Sequence, residues 1–282
     1  MPDLATHRVP ATTANLGPGY DCLGVALQIY NSVTVRRSEK AEPSASMAGR
    51  AAQLFFETSG VEPFAFSWEI RGDVPQSRGM GSSVTVRLGL LHGLNALADA
   101  PLLPAQLFEL CAALERHPDN AAPAAFGGFT VAGGPRLARF EVAPELKFVL
   151  LIPDFEISTP EARKVLPPQI DRLSAVMSSS NACRVTAAFA AKDYELLRGS
   201  FDDGLHQPFR KPLIPFLPAV IAAGEAAGAL GGFLSGSGST ICCLTLRDAE
   251  AVGRAMLAAA PAGGARFIVT EADNRGVVES DK

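Results

Sequence analysis

The sequence predicts an α+β protein large enough for two domains, on three observations. Apolar residues alternate strictly through Phe64, Phe66, Trp68 and Ile70, with Ala65, Ser67, Glu69 and Arg71 between them, which is the period of a half-buried strand. From Ser82 to Ala98 the period changes: Val84, Leu88, Leu91 and Leu94 or Leu97 recur at three and four residues, along one helix face. Segments of both kinds alternate along 282 residues, 48% hydrophobic and 19% charged, enough to bury a large core and too apolar for disorder.

In chain order, Val25, Leu27 and Ile29, then Val33 and Val35, give a first strand. The polar stretch Arg37 to Ala48 leads into a short helix around Arg50 to Thr58 that ends at Gly60. The alternating strand follows, and antiparallel pairing with the first is expected. After the helix at Ser82, Pro104 suits the first turn of another that buries Leu107, Leu110, Cys111 and Leu114 before Glu115 and Arg116. Strands are expected near Phe129 to Val131 and at Phe148 to Ile152. The second half reads as helices at Asp171 to Ala191, Leu217 to Ala229 and Asp248 to Ala259, with strands at Thr240 to Leu246 and Arg266 to Thr270. No internal repeat occurs, and the Gly133-Gly134-Pro135 turn suggests a domain boundary near residues 135–145.

Charge and cysteine usage exclude several functions. Lys+Arg 25 against Asp+Glu 29 leaves a formal charge of -4, so no basic field is present to hold nucleic acid or an anionic membrane. The opening MPDLATHRVPATTANLG lacks an apolar core with small cleavage residues, and no run reaches the roughly 18 apolar residues of a span, which points to the cytoplasm. Five cysteines without a CxxC are expected to be reduced core residues. His7, His92, His117 and His206 lie far apart with no HExxH, which argues against zinc chemistry.

The chemistry concentrates in PQSRGMGSSVT, residues Pro75 to Thr85. Gly79 and Gly81 flank Met80, and Ser82 and Ser83 open an apolar-faced helix. Exposed backbone N–H groups and the positive end of the helix dipole there suit an anion, with a serine hydroxyl for a phosphate oxygen or a cation. The pattern is neither GxxxxGK[ST] nor GxGxxG, and by itself it equally describes a serine-capped turn.

Six blocks in order resolve that ambiguity by resemblance. The turn resembles the PxxxGLGSSAA phosphate loop of the GHMP kinase family, with Met80, Val84 and Thr85 in place of a leucine and two alanines. VPATTANLGPGYDCLGVAL, ERHPDNAAPAAFGG, STPEARKVLP, QPFRKPLIP and GGFLSGSGSTICCL are similar to the branch of that family whose members phosphorylate the side-chain hydroxyl of L-homoserine. The resemblance implies an N-terminal nucleotide-binding domain over residues 1–140 with a mixed sheet. It implies a ferredoxin-like α/β sandwich over 141–282, ATP and Mg2+ as cofactors, and a homodimer.

It also implies roles. Pro75, Arg78, Gly79, Met80, Gly81, Ser82, Ser83 and Thr159 would bind the phosphates, and Ser83 (or Ser82) with Glu115 the metal, Glu109 being the fallback. Asn15 and Asp21 would meet the substrate ammonium, Arg210 and His117 its carboxylate, and Asn120 and Arg163 the reacting hydroxyl. Asp119 stands where sister kinases keep a base, although positioning alone suffices for a loose transition state and no obligatory base is expected. Gly236, Ser237 and Gly238 would close over the phosphate loop as support. From the residues alone, Asn15 and Asp21 read equally as formers of the Gly17-Pro18-Gly19 turn, and Arg163 and Arg210 as surface charges. Two other functions stay open: a family kinase for another small alcohol, disfavoured by the Asp21 and Arg210 pair, and a silent regulator, disfavoured by Glu115, Asn120, Arg163 and the serines.

Overall fold

The computed structural model describes residues 2–40, 42–133 and 136–280. The chain begins with β1 (Leu4–Ala14), β2 (Leu23–Arg37), α1 (Met47–Ser59), β3 (Phe66–Gly72), α2 (Ser82–Leu97) and α3 (Pro104–Glu115). There follow α4 (Ala121–Phe126), β4 (Phe129–Ala132), β5 (Leu137–Phe140), β6 (Lys147–Pro153), α5 (Thr159–Lys164), α6 (Arg172–Ala191) and α7 (Gln207–Arg210). It closes with α8 (Leu217–Ala226), β7 (Gly231–Leu234), β8 (Ile241–Thr245), α9 (Ala249–Ala259), β9 (Ala265–Thr270) and β10 (Val278–Glu279). Helix ends follow the expected chemistry: Ser46 accepts from Gly49 N–H, Asp171 and Asp248 cap α6 and α9, and Gly60 closes α1 in the left-handed region.

Two sheets divide these strands. The first runs β10-β1-β2-β4-β5, with β3 also on β2, and the second runs β7-β8-β6-β9. β2 is long enough, at 15 residues, to pair with β4 through Leu23 to Val25 and with β3 through Asn31 to Arg37. Every pairing among the described residues is antiparallel, so the first sheet is not the mixed sheet expected. In the second, β6 and β7 are separated by the antiparallel β8, and α9 carries the chain from β8 across to β9, which is the ferredoxin-like order.

A shared core joins the sheets. Leu23, Val25 and Phe129 of the first meet Phe148, Leu150, Phe233 and Leu244 of the second, with Phe189 of α6 stacked on Phe129 at 4.2 Å. β6 is buried on both faces, since Val149 and Leu151 point the other way into a cluster with Val220, Val252 and Met256 of α8 and α9. An uninterrupted apolar run is what two-sided burial requires, at about 1.5–3 kcal/mol for each large side chain. α1, α2 and α3 cover the other face of the first sheet.

The structure adds elements the patterns did not signal. β1 is an 11-residue strand, and β5, β7, β10, α4 and α5 are short. In β1 the expected alternation is lost because its last six residues are all buried. α2 buries Val86 and Leu90 as well as the expected stripe, being covered by helices on one side and the sheet on the other. Of the expected boundary turn, Gly134 and Pro135 lie outside the described residues. A cut at 140/141 does not separate the sheets, because β10 pairs with β1 and Ala272 bridges to Leu27. Cys111, Cys242 and Cys243 are buried as expected, but Cys22 is half-buried and Cys183 is exposed on α6. No helix of the described residues is long and apolar enough to cross a membrane.

Gly89 shows how tightly α2 sits on the sheet: a Cβ there would lie 2.6 Å from Val33 Cβ. Alanine is the better helix former by ~1 kcal/mol, yet Gly89→Ala is expected to lower Tm, because the overlap costs ~1–3 kcal/mol. A thermal melt at or above the wild-type Tm would show that helix and sheet separate freely.

Candidate active site

The loop from Gln76 to Gly81 stands at one end of a cavity of about 450 Å³. Gly79 (φ +70°) and Gly81 (φ +67°) hold left-handed conformations, and Gly81 precedes the first turn of α2. Thr85 N–H makes the helix's first backbone bond, to Gly81 O, so the amides of residues 82–84 precede the ladder. The first turn has neither an acidic residue nor a side-chain cap. The positive end of the α2 dipole is therefore left to whatever enters the cavity.

The turn between β7 and β8 braces this loop. Ser235 Oγ donates to Gly79 O at 2.7 Å, Thr240 N–H to Arg78 O at 3.2 Å, and Thr12 N–H to Met80 O at 3.1 Å. A Cβ on Gly79 would sit 2.1 Å from Ser235 O and 2.8 Å from Gly238 N. This glycine-rich turn joins β7 to β8; Gly236 and Ser237 line the cavity, and Gly238 packs against Ile214.

Arg78 lines the cavity, and its guanidinium is turned back to the chain. Its guanidinium donates to Pro153 O at 2.9 Å, Asp154 O at 2.8 Å and Gln76 O at 3.3 Å, and pairs with Glu156. It fastens the loop to the end of β6. Met80 is buried where it borders the cavity, Thr159 also lines it at the start of α5, and Pro75 and Glu109 do not. Ser83 Oγ donates to Glu115 Oε2 at 3.0 Å, and Arg87 pairs with Oε1 at 2.5 Å. The cation from α2 relieves the carboxylate at the C-terminal pole of α3.

At the other end, the turn of residues 15–23 places Asn15 and Asp21, both at positive φ. Asn15 Oδ1 accepts from Asp21 N–H at 3.0 Å and its Nδ2 donates to Gly236 O at 2.9 Å. Both residues are turn formers as well as cavity walls. Arg163 Nη2 donates to both oxygens of Asp21, at 2.8 and 2.9 Å. Arg210, 2% exposed, gives Nε to Ala162 O and Nη1 to Gly236 O. Nη1 also faces His206 Nδ1 at 3.1 Å, while His206 Nε2 meets Gly17 O at 2.9 Å. Burial drives the His206 pKa down to about 4, so the ring is neutral, donating through Nε2 and accepting from Arg210. It is structural.

Between the two ends, the turn from α3 to α4 supplies His117, Asp119 and Asn120. His117 Nδ1 is 2.7 Å from Oδ1 of the buried Asp119, and Asn120 Oδ1 accepts from Thr12 Oγ1 at 2.7 Å. Burial works against a charged His117, but the hydrogen bond and charge of Asp119, with Asp21 behind it, raise its pKa above the usual 6.5. Ligand atoms of Asp21, His117 and Asp119 lie within 4.8 Å of one another, a cluster invisible in sequence because Asp21 comes from a distant turn. Met47, Trp68 and Ile70 form an apolar wall of the cavity; the alternation marked Trp68 and Ile70 as one face of a half-buried strand, and Met47 fell in a stretch read as polar.

Comparison with known proteins gives the family. The chain fits the GHMP kinases N terminal domain over residues 46–128 and the GHMP kinases C terminal domain over residues 185–262. A homoserine kinase of Moorella thermoacetica is 39% identical over 94% of this chain and 95% of its own length. The chain belongs to the GHMP kinase family. As a family member it is a kinase, and a homoserine kinase of Synechococcus sp. is 41% identical to it over 88% of each chain. The crystal structure of a homoserine kinase from Cytophaga hutchinsonii superposes with a TM-score of 0.91 at 27% identity, covering 99% of this GHMP kinase and 98% of that chain. A mevalonate kinase structure shares the fold at 14% identity, with a TM-score of 0.72 over 96% and 99% of the two chains.

The raised pKa of His117 fixes the sign of one pH effect. Below the ordinary value the imidazolium is present folded and unfolded, and its pairing with Asp119 stabilises the fold. That contribution is lost as pH rises through the raised folded value. In Asp119→Asn burial is left dominant, so NMR titration of the His117 ring should show its pKa falling below 6.5. A ring titrating as in the wild type would remove Asp119 as the cause.

Proposed function

We propose that this kinase transfers the γ-phosphoryl group of ATP to the side-chain hydroxyl of L-homoserine, giving O-phospho-L-homoserine and ADP, a step toward threonine. The observation that carries the proposal is one cavity with an uncapped helix N-terminus at one end and a carboxylate among cations at the other. Such a cavity accommodates a polyanion in line with a zwitterion. The Moorella and Synechococcus relatives bear the same functional name.

In the proposed mechanism the amides of Gly79 to Ser83 cradle the phosphates, with Thr159 beside the γ-phosphate and Arg78 holding the loop in place. Ser83 Oγ and Glu115 Oε2, hard oxygen donors 3.0 Å apart on the cavity wall, suit magnesium, while Arg87 secures the other carboxylate oxygen. Bound Mg2+ would neutralise charge on the β- and γ-phosphates. Asp21 and Asn15 receive the ammonium. His117 and the Nη2 of Arg210 receive the carboxylate. Asn120 and Arg163 hold the hydroxyl, whose oxygen attacks the γ-phosphorus as the bond to the ADP oxygen breaks. The proton leaves late, through the transferred phosphoryl oxygens to solvent. Asp119 orients His117 and need not take it. Met47, Trp68 and Ile70 would cover the nucleobase. With this reading go a cytoplasmic location, a homodimer taken from the family resemblance, and a nucleotide-binding half of residues 1–140 completed by the returning β10.

A coupled ADP-release assay with Mg-ATP and L-homoserine, D-homoserine, L-serine, L-threonine or mevalonate tests the proposal. Turnover is expected with L-homoserine and lost in Arg163→Ala; turnover on another alcohol alone would retire the ammonium and carboxylate roles, and none at all would make the chain a silent binder. Asp119→Asn is expected to keep kcat within roughly 10³-fold of wild type. A larger loss in a folded variant would make Asp119 the base.

A further inference from the structure

The contact between Arg163 and Asp21 joins residues 142 positions apart and faces the cavity, with side chains 38% and 31% exposed. Arg163 spends Nη2 on both carboxylate oxygens. Asp21 is fixed from behind by its backbone bond to Asn15, whereas Arg163 extends from the six-residue α5. Nearby, Asp119 is already engaged by His117. The ammonium and the arginine therefore have to share one carboxylate.

On the functional reading above, Asp21 receives the substrate ammonium and Arg163 the reacting hydroxyl, and as the structure stands each is occupied by the other. We propose that this ion pair is a substrate-operated latch: the α-ammonium of the alcohol displaces the guanidinium from Asp21 and so releases Arg163 to the hydroxyl and γ-phosphate. A pair this exposed is weakly held, so an entering ammonium can replace it. Without an amine Arg163 stays on Asp21, and ATP beside water lacks the cation that would stabilise transfer. The ammonium then governs kcat as well as KM. A carboxylate that only binds the amine would affect KM alone.

The test uses 4-hydroxybutanoate, which is homoserine without its amine. With wild-type enzyme and saturating Mg-ATP, its kcat should lie about tenfold or more below that of L-homoserine, beyond any rise in KM. Asp21→Gly tolerates φ +57° and removes the latch. It should raise kcat on 4-hydroxybutanoate about tenfold while raising KM for L-homoserine. Asp21→Asn, which also tolerates this backbone conformation, should shift the ratio of the two kcat values in the same direction and decides the matter if the glycine variant does not fold. Equal kcat losses on both alcohols in the folded variants, or a wild-type enzyme that differs between them only in KM, would overturn the latch. If wild-type enzyme fails to phosphorylate L-homoserine, the substrate assignment falls. The latch is then read from alcohol-independent ATP hydrolysis, which must rise in Asp21→Gly; an unchanged or lower rate would overturn it.

Discussion

The site depends on a contact with no side chain in it. Gly79 meets Ser235 and Gly238 backbone to backbone, at distances a Cβ would forbid, and this sets the loop before α2 against the turn between β7 and β8. Hydrogen bonds from Ser235 and Thr240, and the guanidinium of Arg78 on the end of β6, hold that approach from two sides. Close packing here positions the helix dipole, and the cavity is the space left beyond it. The shared core around Phe129, Phe148 and Phe189 keeps the two sheets from shifting relative to each other.

Electrostatics in the cavity are arranged by pairs. Asp21 is with Arg163, Asp119 with His117, and Glu115 with Arg87, so each carboxylate carries its own cation. The pairs differ in burial. Asp119 is enclosed and orients a ring, while Asp21 faces the cavity and can exchange partners. Arg210, buried and tied to Ala162 and Gly236, is a fixed positive charge supported by a neutral His206. Preorganised charges of this kind lower the reorganisation cost of phosphoryl transfer.

Much of this was legible in sequence because the relevant patterns are local. The alternation at Phe66 to Ile70, the spacing in α2 and the cap at Gly60 correspond to real elements, and the ordered blocks pointed to the family. What was missed depends on tertiary surroundings. β1 loses its period because both faces are covered, and Trp68 reads only as one face of a half-buried strand because a cavity wall has the same pattern as a packed one. Arg78 sits in the phosphate motif, yet nothing local says its guanidinium turns back to β6. The pairing of Asp21 with Arg163 spans 142 residues and leaves no trace in spacing.

The returning strand β10 has a consequence for the order of folding. The outer edge of β1 is paired by Val278 and Glu279, which lie beyond the whole second sheet in the chain. Asp273, whose carboxylate gathers the N–H groups of Arg275 and Gly276 and the hydroxyl of Tyr30, also acts over a long range. Until that segment docks, the edge of β1 keeps backbone groups open to any neighbouring strand. The first sheet is therefore closed by a segment that follows the second, so its closure waits on distant contacts rather than on its own residues.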